Sequence, residues 1–240
     1  MSNKLKDLVA ATLVVVCLVA MALLVHEVVR INRAIASQKH LPKLAPSSGI
    51  SIVRLVDPET GSTFCSGTVV SDSIIITAGH CVIEEGIFGM ASIRTKPIEI
   101  REYDNVKLGI LARPIYAEPH LDHGLLKGDF SKLSHQPFTT DIQEINSYAI
   151  VDQEFTACGY PLGGNMYCSI LKYKDKFDFM WRVEGVLLPG MSGGPVMLSN
   201  GKVIGINDAV EGNSSIISPI YNLDVEFGRN PSPPEEDKGE

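Results

Sequence analysis

The hydrophobic and polar positions divide the chain into an unbroken apolar run, a long stretch of short alternating segments, and a polar end. Residues 8–25 carry no charge. As a helix this run is about 27 Å long, close to the hydrocarbon thickness of a bilayer. It has no polar stripe, which a helix packed on a soluble core would show. The pattern predicts a transmembrane signal-anchor helix over 8–29, with 1–7 as its flank. Ala34-Ile35-Ala36, the candidate cleavage site of a signal peptide, lies far beyond the run, with Glu27, Arg30 and Arg33 between. Lys4 and Lys6 on one side and Arg30 and Arg33 on the other leave the orientation open. Residues 30–47 read as a stalk and linker, punctuated by Pro42 and Pro46.

From residue 48 the period changes. Ile50-Ser51-Ile52-Val53-Arg54-Leu55-Val56 reads as a strand followed by a turn at Asp57-Pro58-Glu59-Thr60-Gly61. Further strands are predicted over 63–70, 73–78, 91–94, 98–103 and 107–112. In the second half they fall at 147–151, 155–159, 166–173, 181–188, 196–198, 202–207 and 215–220. Short strands at close spacing with few helical patterns predict an all-β domain over 48–228. Residues 129–146 are expected to cross between its halves. The tail, 229–240, is acidic and Pro-rich, and disorder is its default.

The formal net charge of −7 argues against a nucleic-acid binder, which would need a basic face. Of the five cysteines, Cys17 lies in the apolar run as a small apolar residue. The other four suggest two pairs. Cys65 and Cys81 flank the predicted hairpin before His80, and Cys158 and Cys168 flank a turn-rich connection. Four reduced core thiols are the alternative. No Cys-x-x-Cys or histidine cluster accompanies them, so no metal is expected.

The chemistry centres on Gly190-Met191-Ser192-Gly193-Gly194-Pro195-Val196. Glycines around a serine let the backbone turn sharply and leave N–H groups to face an oxyanion. Gly190-x-Ser192-x-Gly194 also fits the nucleophile elbow of α/β-hydrolases, but that fold places its histidine after the serine. All six histidines here precede Ser192. A serine nucleophile needs a base and an acid to orient it. His80 stands in Thr77-Ala78-Gly79-His80-Cys81 after the apolar run Ile74-Ile75-Ile76, and Asp129 opens Asp129-Phe130-Ser131-Lys132-Leu133.

With these motifs in the order His, Asp, Ser, the chain resembles the trypsin/chymotrypsin-like serine proteases, in their bacterial or viral form, over about residues 48 to 228. The resemblance implies two antiparallel six-stranded β-barrels with the site between them. It implies His80 as general base, Ser192 as nucleophile, and the N–H groups of Gly190 and Ser192 as the oxyanion hole. Asp129 is expected to be the orienting acid because Asp-Phe-Ser-Lys-Leu matches the family's Asp–apolar–small–x–Leu. Asp122, the rival, reads as a surface acid beside His123. The resemblance also implies the Cys65–Cys81 disulfide.

Many trypsin-like enzymes carry an aspartate just before the nucleophile to receive a new N-terminus on activation. Here the residue is Met191, so no such latch is expected, and the loop must be held by packing or by substrate. Val186, six before the serine, predicts an apolar or small P1 residue. Asp208, Ala209 and Val210 are expected at the strand edge that pairs with extended substrate. Asp208 there either favours a basic substrate residue or hydrogen-bonds the triad. The expected function is a membrane-anchored serine endopeptidase that acts on protein or peptide substrates without a cofactor. Disulfides place its domain in the periplasm or outside the cell. The alternative is a catalytically idle protease-like domain that serves as a binding or assembly module.

Overall fold

The computed structural model describes a few positions between 12 and 25, and residues 52–85, 91–102, 106–133, 148–211 and 214–220. The chain divides into two compact units, Met1–Pro42 and Lys43–Glu240. In the first, the described positions, Thr12 and Cys17 among them, are helical, and Cys17 is exposed with a free thiol. Most of the expected membrane helix lies outside the described residues. Among those described, no helix is long and apolar enough to cross a membrane. The stalk, the tail and most of the expected crossover also lie outside them.

The second unit holds the strands. β1 (Ile52–Val56), β2 (Thr63–Ser71), β3 (Ile74–Ala78), β6 (Ile98–Arg101), β7 (Ile110–Glu118) and β8 (His123–Lys127) close one antiparallel barrel in the order β1-β2-β3-β8-β7-β6. β4 (Ile83–Glu85) and β5 (Ala91–Ile93) form a separate two-stranded sheet. The second barrel runs β10-β11-β14-β13-β12-β9. Its strands are β9 (Glu154–Gly159), β10 (Tyr167–Phe177), β11 (Met180–Glu184), β12 (Pro195–Met197), β13 (Val203–Glu211) and β14 (Ser214–Pro219). The expected all-β, two-barrel architecture is present.

Each barrel is filled by the inward residues of its strands. Val53, Leu55, Val69, Ile75, Ile98, Ile100 and Leu126 pack the first. In the second, Trp181 is fully buried, stacked on Phe155 at 5.7 Å and edge-on to Tyr173 at 5.4 Å. Burial of a single large apolar side chain is worth roughly 1.5–3 kcal/mol, so these layers dominate the stability of each barrel.

β1 is buried along its whole length, which simple alternation does not predict. Its outer face is covered by the second barrel. Arg54 stacks 4.2 Å over the Tyr160 ring and donates to the Gly163 carbonyl at 2.8 Å, and the Tyr160 hydroxyl donates to the Ile52 carbonyl at 3.0 Å.

Two strand expectations fail for local reasons, and one strand is present that the sequence did not suggest. Residues 148–152 turn instead, with the Ile150 N–H on the Tyr148 carbonyl and Asp152 at φ 64°. Residues 186–188 leave the sheet after Gly185, whose φ is 141°. There the Leu187 N–H goes to the Ser215 hydroxyl rather than to a neighbouring strand. β8 was not expected at all. It lies between β3 and β7 and is buried on both faces, so His123-Gly124-Leu125-Leu126 shows no period of two. Its Gly124 is required, because a Cβ there would sit 2.6 Å from Val82 Cγ2 and 3.0 Å from the Ala78 carbonyl oxygen.

Candidate active site

β3 ends at Ala78 and the chain tightens into a short 3-10 turn, Gly79–Cys81, which carries His80 off the barrel rim. The Cys65–Cys81 disulfide ties this turn back to β2. Cys158 and Cys168 are also bonded, across the paired strands β9 and β10. Both pairings expected from the sequence are therefore present.

The turn into β8 brings Asp122 to His80. Asp122 adopts φ 47°, and its carbonyl accepts the Gly79 N–H at 2.6 Å. One carboxylate oxygen accepts the His80 backbone N–H at 2.7 Å, and the other meets His80 Nδ1 at 2.7 Å. A side chain on Gly79 would press on this carboxyl from 2.9 Å. His80 is 49% exposed and Asp122 15%, so the imidazole has a solvent edge and a buried one.

The expectation for Asp129 is corrected here. Asp129 is exposed and turns onto its own loop, accepting the Ser131 hydroxyl at 2.6 Å and the Ser131 N–H at 3.2 Å. Those bonds hold its carboxyl below the usual range. The acid beside the imidazole is Asp122. The sequence signal was its position immediately before the apolar strand that lies against β3.

A second carboxyl stands behind the first. The register of β13 on β14 slips between Asn207 and Ala209, which leaves Asp208 in a bulge. Bulges re-aim side chains, and this one turns Asp208 toward the histidine. Its Oδ1 lies 3.9 Å from His80 Nδ1, its side chain is only 8% exposed, and a carboxyl oxygen of Asp208 lies within 4.8 Å of one of Asp122. Burial and the neighbouring Asp122 push its carboxyl up to about 8. Burial also opposes the charge on Asp122, but hydrogen bonds from His80 and Asp208 outweigh it and hold that carboxyl below the usual range. Two neighbouring buried carboxyls do not both ionise readily. Of the two readings of Asp208 from sequence, contact with the histidine–acid pair is the one seen. Ala209 and Val210 pair with Ile216 and Ser215 of β14; their side chains lie outside the described residues.

Ser192 sits on the loop between β11 and β12, partly buried, and its hydroxyl donates to the Asp208 carbonyl at 3.0 Å. The peptides on either side are fixed through their carbonyls. Pro189 O accepts the Leu162 N–H at 2.8 Å, Gly190 O accepts the Ser66 hydroxyl at 2.7 Å, and Ser192 O accepts the Ser66 N–H at 2.8 Å. Met191 O accepts both the Gly194 N–H at 3.0 Å and the Asn207 side-chain amide at 3.1 Å.

A trans peptide points its N–H opposite its C=O. Tying Pro189 O and Met191 O inward therefore turns the N–H groups of Gly190 and Ser192 outward. Among the described residues neither N–H donates to another backbone group, whereas those of Met191, Gly193 and Gly194 all do. Gly190 adopts φ 93°, and a Cβ there would lie 2.7 Å from the Tyr160 carbonyl oxygen.

Met191 is fully buried, and its thioether accepts the Leu188 N–H at 3.4 Å. The loop was expected to be held by packing or substrate. Packing of Met191 contributes, but Asn207 and Ser66 add hydrogen bonds that the sequence did not reveal. Val186 is half-buried in a segment pinned by Ser215, whose hydroxyl donates to the Gly185 carbonyl at 3.0 Å.

His80, Asp122 and Asp208 each offer a potential ligand atom within 4.8 Å of the others. Those atoms already face one another in the contacts described above, and the sulfurs of Cys65 and Cys81 are consumed in their disulfide.

Residues 65–206 match the family model described as trypsin-like peptidase domain. No curated protein sequence matches the chain. The Rv3671c protease in its inactive form is similar in fold, with TM-score 0.56 at 15% identity over 78% of this chain and 91% of that one. The active form, from M. tuberculosis, gives 0.53 at 17% over 71% and 75%. An HtrA-type protease, AlgW, with a decapeptide gives 0.55 at 16% over 74% and 62%.

Proposed function

Because the chain belongs to the trypsin-like peptidase family, we propose that it is a serine endopeptidase acting through His80, Asp122 and Ser192. The observation that carries this reading is the double grip of Asp122 on His80, through the backbone N–H and through Nδ1. An acid at Nδ1 fixes the tautomer with Nε2 free to accept a proton, and it stabilises the imidazolium that follows. In this reading the Ser192 hydroxyl leaves the Asp208 carbonyl, gives its proton to Nε2 and attacks the peptide carbonyl. The outward N–H groups of Gly190 and Ser192 receive the oxyanion, each worth about 2.7–4 kcal/mol to the transition state. His80 then protonates the leaving amine, and water repeats the sequence on the acyl-enzyme.

Val186 supports an apolar or small P1 residue. The hydropathy of residues 8–25 and the two disulfides support anchoring in a membrane, with the protease domain on an oxidising side. The rival reading is an idle domain used for binding, and the engagement of the Ser192 hydroxyl with the Asp208 carbonyl is what favours it. Digestion of a peptide library by the full chain, with trapping of an acyl-enzyme on Ser192 by mass spectrometry, separates the two. Cleavage after apolar or small residues supports the protease. Intact peptides and an unmodified Ser192 support the binding domain.

A further inference from the structure

We propose that Asp208 is a positioning residue, whose carboxyl donates a proton in a hydrogen bond to Asp122 and so holds Asp122 against His80. The proposal rests on the protease reading above and concerns what supports its acid. Three observations carry it. The β13 bulge aims Asp208 at the pair, whereas regular pairing would send it and Asn207 to opposite faces of the strand. Its side chain is almost fully buried, with a carboxyl oxygen 3.9 Å from His80 Nδ1 and one within 4.8 Å of the Asp122 carboxyl. His80 Nδ1 and the His80 N–H take one bond on each Asp122 oxygen, so Asp122 acts there as an acceptor, and a neighbour touching it must be a donor. A carboxyl can donate only while it keeps its proton.

The titratable groups that face Asp208 are Asp122, from the turn before β8, and His80, from the turn after β3. Ionised at neutral pH, Asp208 would set two buried negative charges in contact and push Asp122 off the imidazole. Protonated, it braces Asp122 from behind. The raised Asp208 carboxyl, at about 8, agrees with this arrangement. It also sets a limit, because above that pH the brace becomes a repulsion. Few other residue types could replace it, since the site needs a short, buried donor that reaches Asp122.

The test uses the full chain as wild type, Asp208→Asn and Asp208→Ala. Asn is neutral, close to isosteric, and donates an N–H that cannot ionise. Infrared spectra at pH 7 are expected to show a protonated-carboxyl band in the wild type that Asp208→Asn removes and that titrates away near pH 8. The rate of fluorophosphonate labelling, scaled to each protein's own maximum, should fall above that pH in the wild type and stay level in Asp208→Asn. Asp208→Ala should label at least 10-fold more slowly at pH 7. A purely structural role would not move the alkaline limb. The proposal is overturned if Asp208→Asn leaves the infrared band in place or keeps the same alkaline limb, or if Asp208→Ala labels at the wild-type rate. A wild type that takes no label but shows the band would overturn the protease reading and still uphold the proton on Asp208.

Discussion

Asp122 meets His80 twice, at 2.7 Å through the backbone N–H and at 2.7 Å through Nδ1. The first bond fixes where the carboxyl sits, and the second uses it. Asp122→Asn keeps the shape but offers an amide where a carboxylate is needed. It should lower kcat by about 10⁴-fold, the loss found when the acid of such a triad becomes an amide. KM should change little. Asp129→Asn should stay within about threefold of wild type, because that residue only caps its own turn. Steady-state kinetics on a chromogenic peptide measures both.

Asn207 and Ser66 hold the loop that carries Ser192. Asn207 donates to the Cys158 carbonyl at 2.8 Å and to Met191 O, and Ser66 bridges Gly190 O and the Tyr160 N–H. Asn207→Ala removes one side-chain donor from each of two buried carbonyls, a loss of roughly 1–3 kcal/mol. It should lower the urea midpoint and also reduce kcat, since Met191 O then keeps only the Gly194 N–H to fix the direction of the Ser192 N–H. Ser66→Ala should reduce kcat by about tenfold with a smaller loss of stability. A kcat unchanged in both variants would mean that packing of Met191 alone orders the loop.

Stability should respond to pH through Asp208. Its folded carboxyl is raised from 3.8 to about 8, so between those values the folded protein holds a proton that the unfolded chain has released. Its contribution to stability is full below pH 3.8 and is lost as pH rises toward 8, at up to about 1.4 kcal/mol per pH unit. Asp122 acts in the opposite sense. Its lowered carboxyl contributes above the ordinary range and loses that contribution as pH falls into strong acid. Urea titrations from pH 5 to 8 should therefore show a downward slope that flattens in Asp208→Asn.

The two disulfides should differ in consequence. Cys65–Cys81 spans 16 residues and closes a loop worth about 3 kcal/mol in the chain-entropy model. It also fixes the turn that carries His80. The Cys65→Ala/Cys81→Ala double variant should lower both the urea midpoint and kcat. The pair at Cys158 and Cys168 spans 10 residues between strands already in register, so its removal should lower stability with a smaller effect on rate.

The short strands and the serine loop were legible because they follow from local pattern, and the two barrels were what the family resemblance of those motifs implied. Ile74-Ile75-Ile76 ahead of the His80 turn, and glycines around Ser192, are short-range signals. The acid was not legible in the same way. Asp122 gains its role from β8, and β8 is covered on both faces, so alternation vanishes just where it would have marked the strand. Asp129 had the more familiar residue pattern, but its loop turns its carboxylate onto Ser131. Asn207 and Asp208 were hidden for another reason. The bulge at Asp208 is a feature of pairing with β14, which no single stretch of sequence records.

In the protease reading Ser192 is an activated nucleophile. Its most direct measurement is the site and stoichiometry of fluorophosphonate labelling on the full, disulfide-intact chain, read by mass spectrometry. A single adduct on Ser192 is expected, absent in Ser192→Ala and formed far more slowly in Asp122→Asn. A folded chain that takes no adduct, or takes one elsewhere that survives Ser192→Ala, would contradict it.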